Sequence, residues 1–238
     1  MKTKILYEDS HIFVIHKPAG IAVQSARVGQ MDCESELRNY LARQGVSPYI
    51  GLVHRLDQPV EGLLVVARTK EAAAKLNKQL ATGSLNKKYL AVVHLEKDLL
   101  NEAGSFADHI LKDGQVAKIV SSDTEESDAE ARKHINEAKQ ASRTYKIMQK
   151  QDDLKTALVD VEIETGRFHQ IRCQMAYHGM PLLGDAKYGS SASMELSRQL
   201  GVRQVALCAD RIAFNHPATG NLLSFEVKPD NIVFSKFL

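Results

Sequence analysis

Long apolar runs are missing from this sequence of 238 residues. No stretch approaches the roughly 18 consecutive apolar residues of a membrane-spanning helix. The chain runs directly into the strand-like pattern Lys4-Ile-Leu-Tyr-Glu, without the apolar segment of a signal peptide. We therefore expect a cytoplasmic protein with no membrane partner.

Cysteine is scarce as well, with only Cys33, Cys173 and Cys208. These residues are far apart and form no Cys-x-x-Cys pair, which argues against a disulfide framework or a cysteine zinc site and suggests reduced thiols. The nine histidines show neither HxxxH nor HExxH spacing. We expect no bound metal.

An excess of one charge is also missing, since the net charge is +2. Residues 121–137 nevertheless hold six acids against two bases, so the 29 bases and 23 acids elsewhere carry +6. That excess is compatible with a basic groove for a polyanion, although many proteins without such a partner have a similar one. The segment has low hydrophobicity, and we interpret it as an acidic surface insert, either a mobile loop or a short helix.

Apolar periodicity predicts hairpins with helices scattered between them. We expect strands at 4–7, 12–16, 51–57, 62–67 and 87–94, hairpins of 105–112 with 115–121, 142–149 with 156–164 and 205–215 with 222–227, and helices at 33–43, between Thr69 and Gly83, at 168–178 and at 192–200. The class is α+β, with a mixed, mainly antiparallel central sheet flanked by helices and loops. No Gly/Ser/Pro-rich linker divides the chain, so we expect one domain over 1–238.

Three clusters of charged and polar residues occur at positions where the fold alone would favour uncharged residues. They are His54-Arg55-Leu56-Asp57, Lys87-Lys88-Tyr89-Leu90 and Gly166-Arg167-Phe168-His169-Gln170-Ile171-Arg172, the last followed by Gly179-Met180-Pro181-Leu182-Leu183-Gly184-Asp185-Ala186-Lys187-Tyr188-Gly189. Charges packed this densely at a strand end are costly unless they are exposed or paired.

The third cluster has a helical pattern at about 100° per residue. Phe168, Ile171 and Met175 form one stripe that we expect to be buried, and Arg172 lies at its edge. An arginine at that edge is well placed to pair with a carboxylate from another segment. For Asp185, which lies in a glycine-rich turn, we expect a role in shaping the turn.

These clusters resemble the RluA-like family of RNA pseudouridine synthases, and the likeness covers nearly the whole chain. The motifs are LVHRLD followed by GLLVVART, the strand KKYLAVV, and GRFHQIR followed by GDAKYG, all in the family's order. The resemblance implies the family's fold and the isomerisation of uridine to its C-glycoside in ribosomal or transfer RNA, without cofactor or metal. We expect a monomer.

The resemblance also implies roles for single residues. Asp57 aligns with the catalytic aspartate, Tyr89 with the tyrosine that packs on the target base, and Arg172 with the basic residue that holds the aspartate. Arg55 aligns with a residue that enters the RNA stack where the target uridine has swung out. We expect further RNA contacts from His54, Lys88, Arg167 and His169, the two histidines being structural or phosphate-facing rather than catalytic.

Two departures from the family pattern stand out. Val60-Glu61 replaces the usual Thr-Ser before the Gly-Leu-Leu, and a carboxylate pointing into the cleft would repel phosphate or raise the pKa of Asp57. We expect Glu61 to point elsewhere. The chain also lacks the S4-like RNA-binding domain of many relatives, so we expect it to recognise a short stem-loop.

Two other functions remain open from the sequence. A catalytically silent RNA-binding protein could keep the fold, although Asp57, Tyr89 and Arg172 together speak against it. A nucleoside hydrolase could also use a carboxylate, but such enzymes usually carry an Asp-rich metal site.

Overall fold

The computed structural model describes residues 1–25, 29–97, 102–120 and 137–238. The chain forms two compact units. The first combines Met1–Tyr89 with Leu207–Asp230, and the second combines Leu90–Ala206 with Asn231–Leu238.

The first unit is built on a mixed sheet. Its strands are β1 Lys4–Glu8, β2 Ile12–Lys17, β3 Gly51–Leu52, β4 Glu61–Ala67, the first residues of β5 Asn86–His94, β10 Leu207–Asn215 and β11 Leu222–Glu226. The order β1-β2-β4-β10 runs across the sheet, β3 pairs with β4, and β11 pairs with β10. All of these pairs are antiparallel except β4 with β10, which is parallel.

Strand β4 is the centre of this unit. All seven of its residues are buried, as expected for a continuous apolar strand covered on both faces. Leu63 and Val65 pack on Ala72 and Leu76 of helix α2, Lys70–Ala81. The strand begins four residues after Asp57, so a rigid element follows the loop that carries this carboxylate.

Glycine at position 62 is required by the approach of β10. Gly62 has a φ of +129°, and a Cβ there would lie 2.4 Å from the backbone nitrogen of Ala209. Residues other than glycine rarely adopt this φ. The backbone atoms of Ala209 cannot move away from an added Cβ as a flexible side chain could.

Two capped helices complete the first unit. They are α1 Cys33–Arg43, in which Ser35 donates its N–H to the Asp32 side chain, and α2 Lys70–Ala81, in which Ala72 donates to Thr69. Such side-chain caps satisfy N–H groups that have no partner within the helix.

The second unit carries an antiparallel sheet in the order β9-β8-β6-β7. Its elements are the last residues of β5, β6 Ala103–Asp113, β7 Val116–Val120, β8 Lys139–Gln151, β9 Thr156–Ile163, α3 Gln170–Tyr177, α4 Ser191–Gln199 and a 3₁₀ helix at Ile232–Lys236. The turn between β6 and β7 passes through Gly114 at a φ of +54°, as the Asp-Gly pair predicts.

The α+β class and the mixed, mainly antiparallel pairing predicted from sequence are confirmed. The run 51–57 is predicted as a strand that ends in a polar loop, and the strand part is shorter than expected, because regular pairing stops after Leu52. The acidic insert lies outside the described residues except for Glu137, and the single domain over 1–238 stays a prediction. In the described ranges, no helix has both the length and the apolar character needed to cross a bilayer.

Candidate active site

Asp57 lies in the loop between β3 and β4, in the first unit. It is half-buried, next to the buried Leu56 and two residues after the exposed Arg55. The Val60 N–H donates to the Asp57 carbonyl oxygen at 3.1 Å and closes a tight turn directly before β4. The loop therefore presents one carboxylate and one arginine from a backbone that is fixed on both sides.

A buried lysine fixes the other side of this loop. The Lys17 ammonium, at the end of β2, has no solvent exposure. It donates to the carbonyl oxygens of Pro18 at 3.1 Å, Ile21 at 2.7 Å and Gln58 at 3.1 Å. Gln58 is the residue after Asp57, so the lysine holds the catalytic candidate through its neighbour's backbone.

The charge on Lys17 is balanced by more than carbonyl dipoles. Burial lowers the pKa of Lys17 to about 8, and the negative charges of groups that include Asp57 and Glu61 act in the opposite direction. Sequence reasoning missed this lysine. The signal was a charged residue at the end of an apolar strand directly before a proline turn.

Tyr89 lies near Asp57 within the same unit. Burial raises the pKa of the Tyr89 hydroxyl, and the carboxylate of Asp57 raises it further. The phenol is therefore neutral at physiological pH and keeps its proton as a hydrogen-bond donor. The structure thus brings two predicted site residues, Asp57 and Tyr89, into electrostatic range of each other.

His54 supports the loop from within. The ring is 8% exposed, and the Val65 N–H donates to its Nε2 at 3.3 Å. Burial and the nearby Lys87 ammonium hold its pKa well below the usual value, so the ring is neutral. The RNA contact predicted for His54 has little surface through which to act, whereas a structural role fits the burial.

The lysines beside Tyr89 are distributed over both faces of β5. Side chains alternate along a strand, so Lys87 shares a face with Tyr89 and the half-buried Lys88 lies on the other. Burial lowers the pKa of Lys87. The sequence prediction chose Lys88, and Lys87 is the lysine on the face of the tyrosine.

Arg172 lies in α3, in the second unit, and is almost fully buried. Its Nε and Nη2 donate to the two carboxylate oxygens of Asp185, each at 2.7 Å. Asp185 also accepts the Lys187 N–H at 3.0 Å and so shapes its turn. A carboxylate from another segment does pair with Arg172, as the sequence predicts. Its role in holding Asp57 stays a prediction.

The start of α3 differs from its prediction. The helix begins at Gln170, and His169 has a left-handed φ of +52°, so Phe168 precedes the helical turn. Phe168 is 37% exposed and stacks on His169, so the expectation that it is buried beside Ile171 was wrong. The half-buried His169 places Nδ1 2.7 Å from the Tyr188 hydroxyl, and the exposed Arg167 donates Nε to the Gln140 carbonyl at 2.9 Å.

A family model described as RNA pseudouridylate synthase matches residues 11–177. This match spans more than half of the chain and includes Asp57, Tyr89 and Arg172. The chain belongs to the RNA pseudouridylate synthase family. Its activity is therefore RNA pseudouridylation, which is an isomerisation.

Curated relatives agree with the assignment. An uncharacterised RNA pseudouridine synthase of Bacillus subtilis, YhcT, is 33% identical over 93% of this chain and 67% of its own length. Another from the same organism, YlyB, is 31% identical over 95% and 69%. The ribosomal large subunit pseudouridine synthase D of Zymomonas mobilis is 32% identical over 94% and 68%.

Solved structures share the fold of this family member. Human RNA pseudouridylate synthase domain containing 4 matches with a TM-score of 0.74 at 24% identity, over 95% of this chain and 89% of that one. Human RNA pseudouridylate synthase domain containing 1 matches with a TM-score of 0.73 at 18% identity, over 95% and 83%.

Proposed function

We propose that the chain isomerises particular uridines in a stem-loop of ribosomal or transfer RNA, with Asp57 as the catalytic carboxylate. The observation that carries the proposal is the group formed by Asp57, Tyr89 and Lys17 within one unit. A relative named for the large ribosomal subunit supports ribosomal RNA as one substrate class.

The reaction breaks the bond from ribose C1′ to uracil N1 and forms a bond from C1′ to C5. The hydrogen on C5 leaves as a proton, and N1 gains one, so atoms and electrons balance without a redox partner. The reaction therefore needs no redox cofactor, and we propose that the carboxylate acts without a catalytic metal. Breaking the glycosidic bond builds positive charge on the ribose, which a carboxylate can stabilise or trap.

Asp57 can act in three ways that are chemically open. Its carboxylate can attack C1′, attack C6 or remove the 2′ proton. In each case it reacts as a carboxylate, and we propose that Lys17 and Arg172 are the basic residues that hold it in place. Keeping the detached uracil in a closed site makes its return intramolecular, which is worth about 7–11 kcal/mol.

We propose that Tyr89 stacks on the target base and that Arg55 occupies the position the base leaves in the RNA stack. A tyrosine ring that stacks on uracil contributes about 1–3 kcal/mol. The exposed Arg55 would fill the gap in the RNA stack, which offsets an unstacking cost of a few kcal/mol. The exposed Arg167 and the half-buried Lys88 and His169 are proposed to contact phosphate.

We further propose a cytoplasmic monomer. The site residues proposed above all come from one chain, so the chemistry requires no second copy. Cys33, Cys173 and Cys208 are free and buried, which fits a reducing compartment.

Tritium release from RNA labelled at C5 of uridine tests the proposed function. Asp57→Asn should lower the release rate by at least about 10³-fold because the amide cannot trap or stabilise positive charge as an anion. RNA affinity and the unfolding midpoint should stay near those of the parent protein. Asp153→Asn, an exposed carboxylate in another turn, is the matched control and should leave the rate unchanged.

Three results would contradict the proposal. Near-normal release by Asp57→Asn would remove Asp57 from its role. No release by the parent protein from any cellular RNA would favour a silent RNA-binding protein. Free uracil among the products would indicate a hydrolase.

A further inference from the structure

Three possible metal ligands from distant segments meet in the first unit. They are His16 near the end of β2, Glu61 at the start of β4 and Asp230 beyond β11. One ligand atom of each residue lies within 4.8 Å of those of the other two. Because the residues are separated by 45 and 169 positions in sequence, no local spacing motif could reveal them.

The environment of His16 indicates a bound ligand. The residue is 8% exposed, and its Nε2 makes no hydrogen bond in the described part of the chain. The Oδ2 atom of Asp230 lies 3.9 Å away, beyond hydrogen-bonding distance. Leaving a buried polar atom unsatisfied costs about 1–3 kcal/mol, and a cation bound to Nε2 would remove that cost.

Glu61 supplies a buried carboxylate at the same place. The residue is 1% exposed, and its Oε2 accepts the Asp230 N–H at 2.9 Å. This hydrogen bond holds the backbone of Asp230 beside the other two residues.

We propose that His16, Glu61 and Asp230 bind one divalent cation of the zinc class. An imidazole with two carboxylates suits Zn²⁺ better than Mg²⁺, which favours oxygen ligands and several waters. Tetrahedral zinc needs ligand atoms about 3.4 Å apart, so the three residues must close by about 1.4 Å at most. The Asp230 side chain is 73% exposed and can rotate to close the site.

Nearby cations limit the affinity. The ammonium groups of Lys4 and Lys17 lie within electrostatic range of His16 and oppose a second positive charge. We therefore expect a dissociation constant in the micromolar range rather than that of a closed structural zinc site. The inference does not rest on the proposed function, and its test also decides the expectation of no bound metal that the spacing of the histidines gave.

The bound cation would hold chain segments in position and would take no part in the reaction. It would tie the segment after β11 to the start of β4 and the end of β2. Asp57 lies four residues before Glu61, and Lys17, which binds the Gln58 carbonyl, directly follows His16. Binding should therefore stabilise the folded protein and restrict the Asp57 loop.

Titration of metal-free full-length protein with ZnCl₂ tests the proposal. Calorimetry should show one equivalent bound with a micromolar dissociation constant, and CoCl₂ should give the visible absorption of a low-symmetry site. At a concentration about 100 times the dissociation constant, the cation should raise the unfolding midpoint by about 5–10 °C. All three readouts are independent of catalytic activity.

Variants locate the cation. Asp230→Asn and Glu61→Gln should each weaken binding at least about tenfold and remove most of the thermal shift. The Asp230 side chain is exposed, so its variant should fold normally. His109→Asn, an exposed histidine on β6, is the control and should bind as the parent does. The proposal is overturned if no single micromolar equivalent appears, or if all three variants bind equally well.

Discussion

Lys17 stabilises the candidate site through main-chain oxygens rather than through a direct ion pair with a carboxylate. Its three carbonyl partners include that of Gln58, next to Asp57. The sequence shows a lysine before a proline turn, but the partner 41 residues away depends on tertiary contact. Arg172 is a similar case. The sequence predicts a carboxylate partner for it, but for Asp185 it predicts only a role in shaping a turn.

The depressed pKa of Lys17 predicts how stability changes with pH. The folded-state pKa of about 8 lies below the ordinary value of 10.5, so between these values the unfolded chain holds the additional proton. The free energy of unfolding therefore gains a contribution that rises with pH across this window, by about 3 kcal/mol in total.

Lys17→Met should abolish that rise. Urea unfolding from pH 7.5 to 10.5 should show a parent-minus-variant difference in unfolding free energy that increases with pH. Lys70→Met, at an exposed position, should give a flat difference. A flat difference for Lys17→Met as well would show that the ammonium is not held at a depressed pKa.

Arg55 offers a second prediction at this scale. Arg55→Ala should slow turnover on a stem-loop RNA by about 10- to 100-fold, because nothing then fills the gap left by the flipped base. On an unstructured oligonucleotide with the same target the loss should be much smaller. Single-turnover tritium release measures both rates.

Arg203→Ala, a similarly exposed arginine, serves as the control and should change neither rate. Equal losses for Arg55→Ala on the two substrates would argue against insertion into the stack and for a simple phosphate contact.

At the scale of elements, predictions succeeded where the determinants are local. The Thr69 cap and the left-handed Gly83 bound α2 as the sequence indicates. The predictions failed where tertiary contacts determine the backbone conformation. The run 51–57 looks like a strand, yet pairing ends at Leu52, and the Lys17 ammonium binds the Gln58 carbonyl just beyond the run. The Phe168 stripe assumed helix from 168, whereas His169 adopts a left-handed conformation that no periodicity reveals.

Gly62 allows a prediction about the β4–β10 pair. Gly62→Ala should destabilise the protein by about 3 kcal/mol or more, because its Cβ would collide with the Ala209 backbone and its φ of +129° disfavours a side chain. Thermal unfolding of the purified variant, or its loss to the insoluble fraction, measures the effect.

Gly166→Ala is the matched substitution, since a Cβ there meets nothing within 4 Å and the φ is not left-handed. It should shift the unfolding midpoint by no more than a few degrees. Similar midpoints for both variants would mean that β10 approaches β4 less closely than the structure shows.

For the whole molecule, the distribution of charge along the chain should affect RNA binding more than the net charge does. The acidic segment lowers a net charge that would otherwise be +6. Charges separated by more than about 8 Å are screened at physiological salt, so an effect on RNA binding should depend on ionic strength.

Replacing Asp123, Glu125, Glu126, Asp128 and Glu130 by their amides tests this effect. The net charge rises from +2 to +7, since five negative charges are removed. RNA affinity should increase several-fold at about 50 mM salt and approach the parent value at about 0.5 M. Changing Ser121, Ser122 and Ser127 to Asn is the neutral control, and unchanged affinity at low salt would refute the prediction.

The first unit is assembled from the two ends of the chain, and this has a consequence for biosynthesis. β4 obtains its parallel neighbour only when Cys208 and Ala209 have been made, about 150 residues later. Such contacts give a high contact order and slow folding. A nascent or prematurely terminated polypeptide that ends before residue 207 would carry every proposed catalytic side chain without the strand that steadies their support. Competence to modify RNA should thus arise only after β10 has been synthesised.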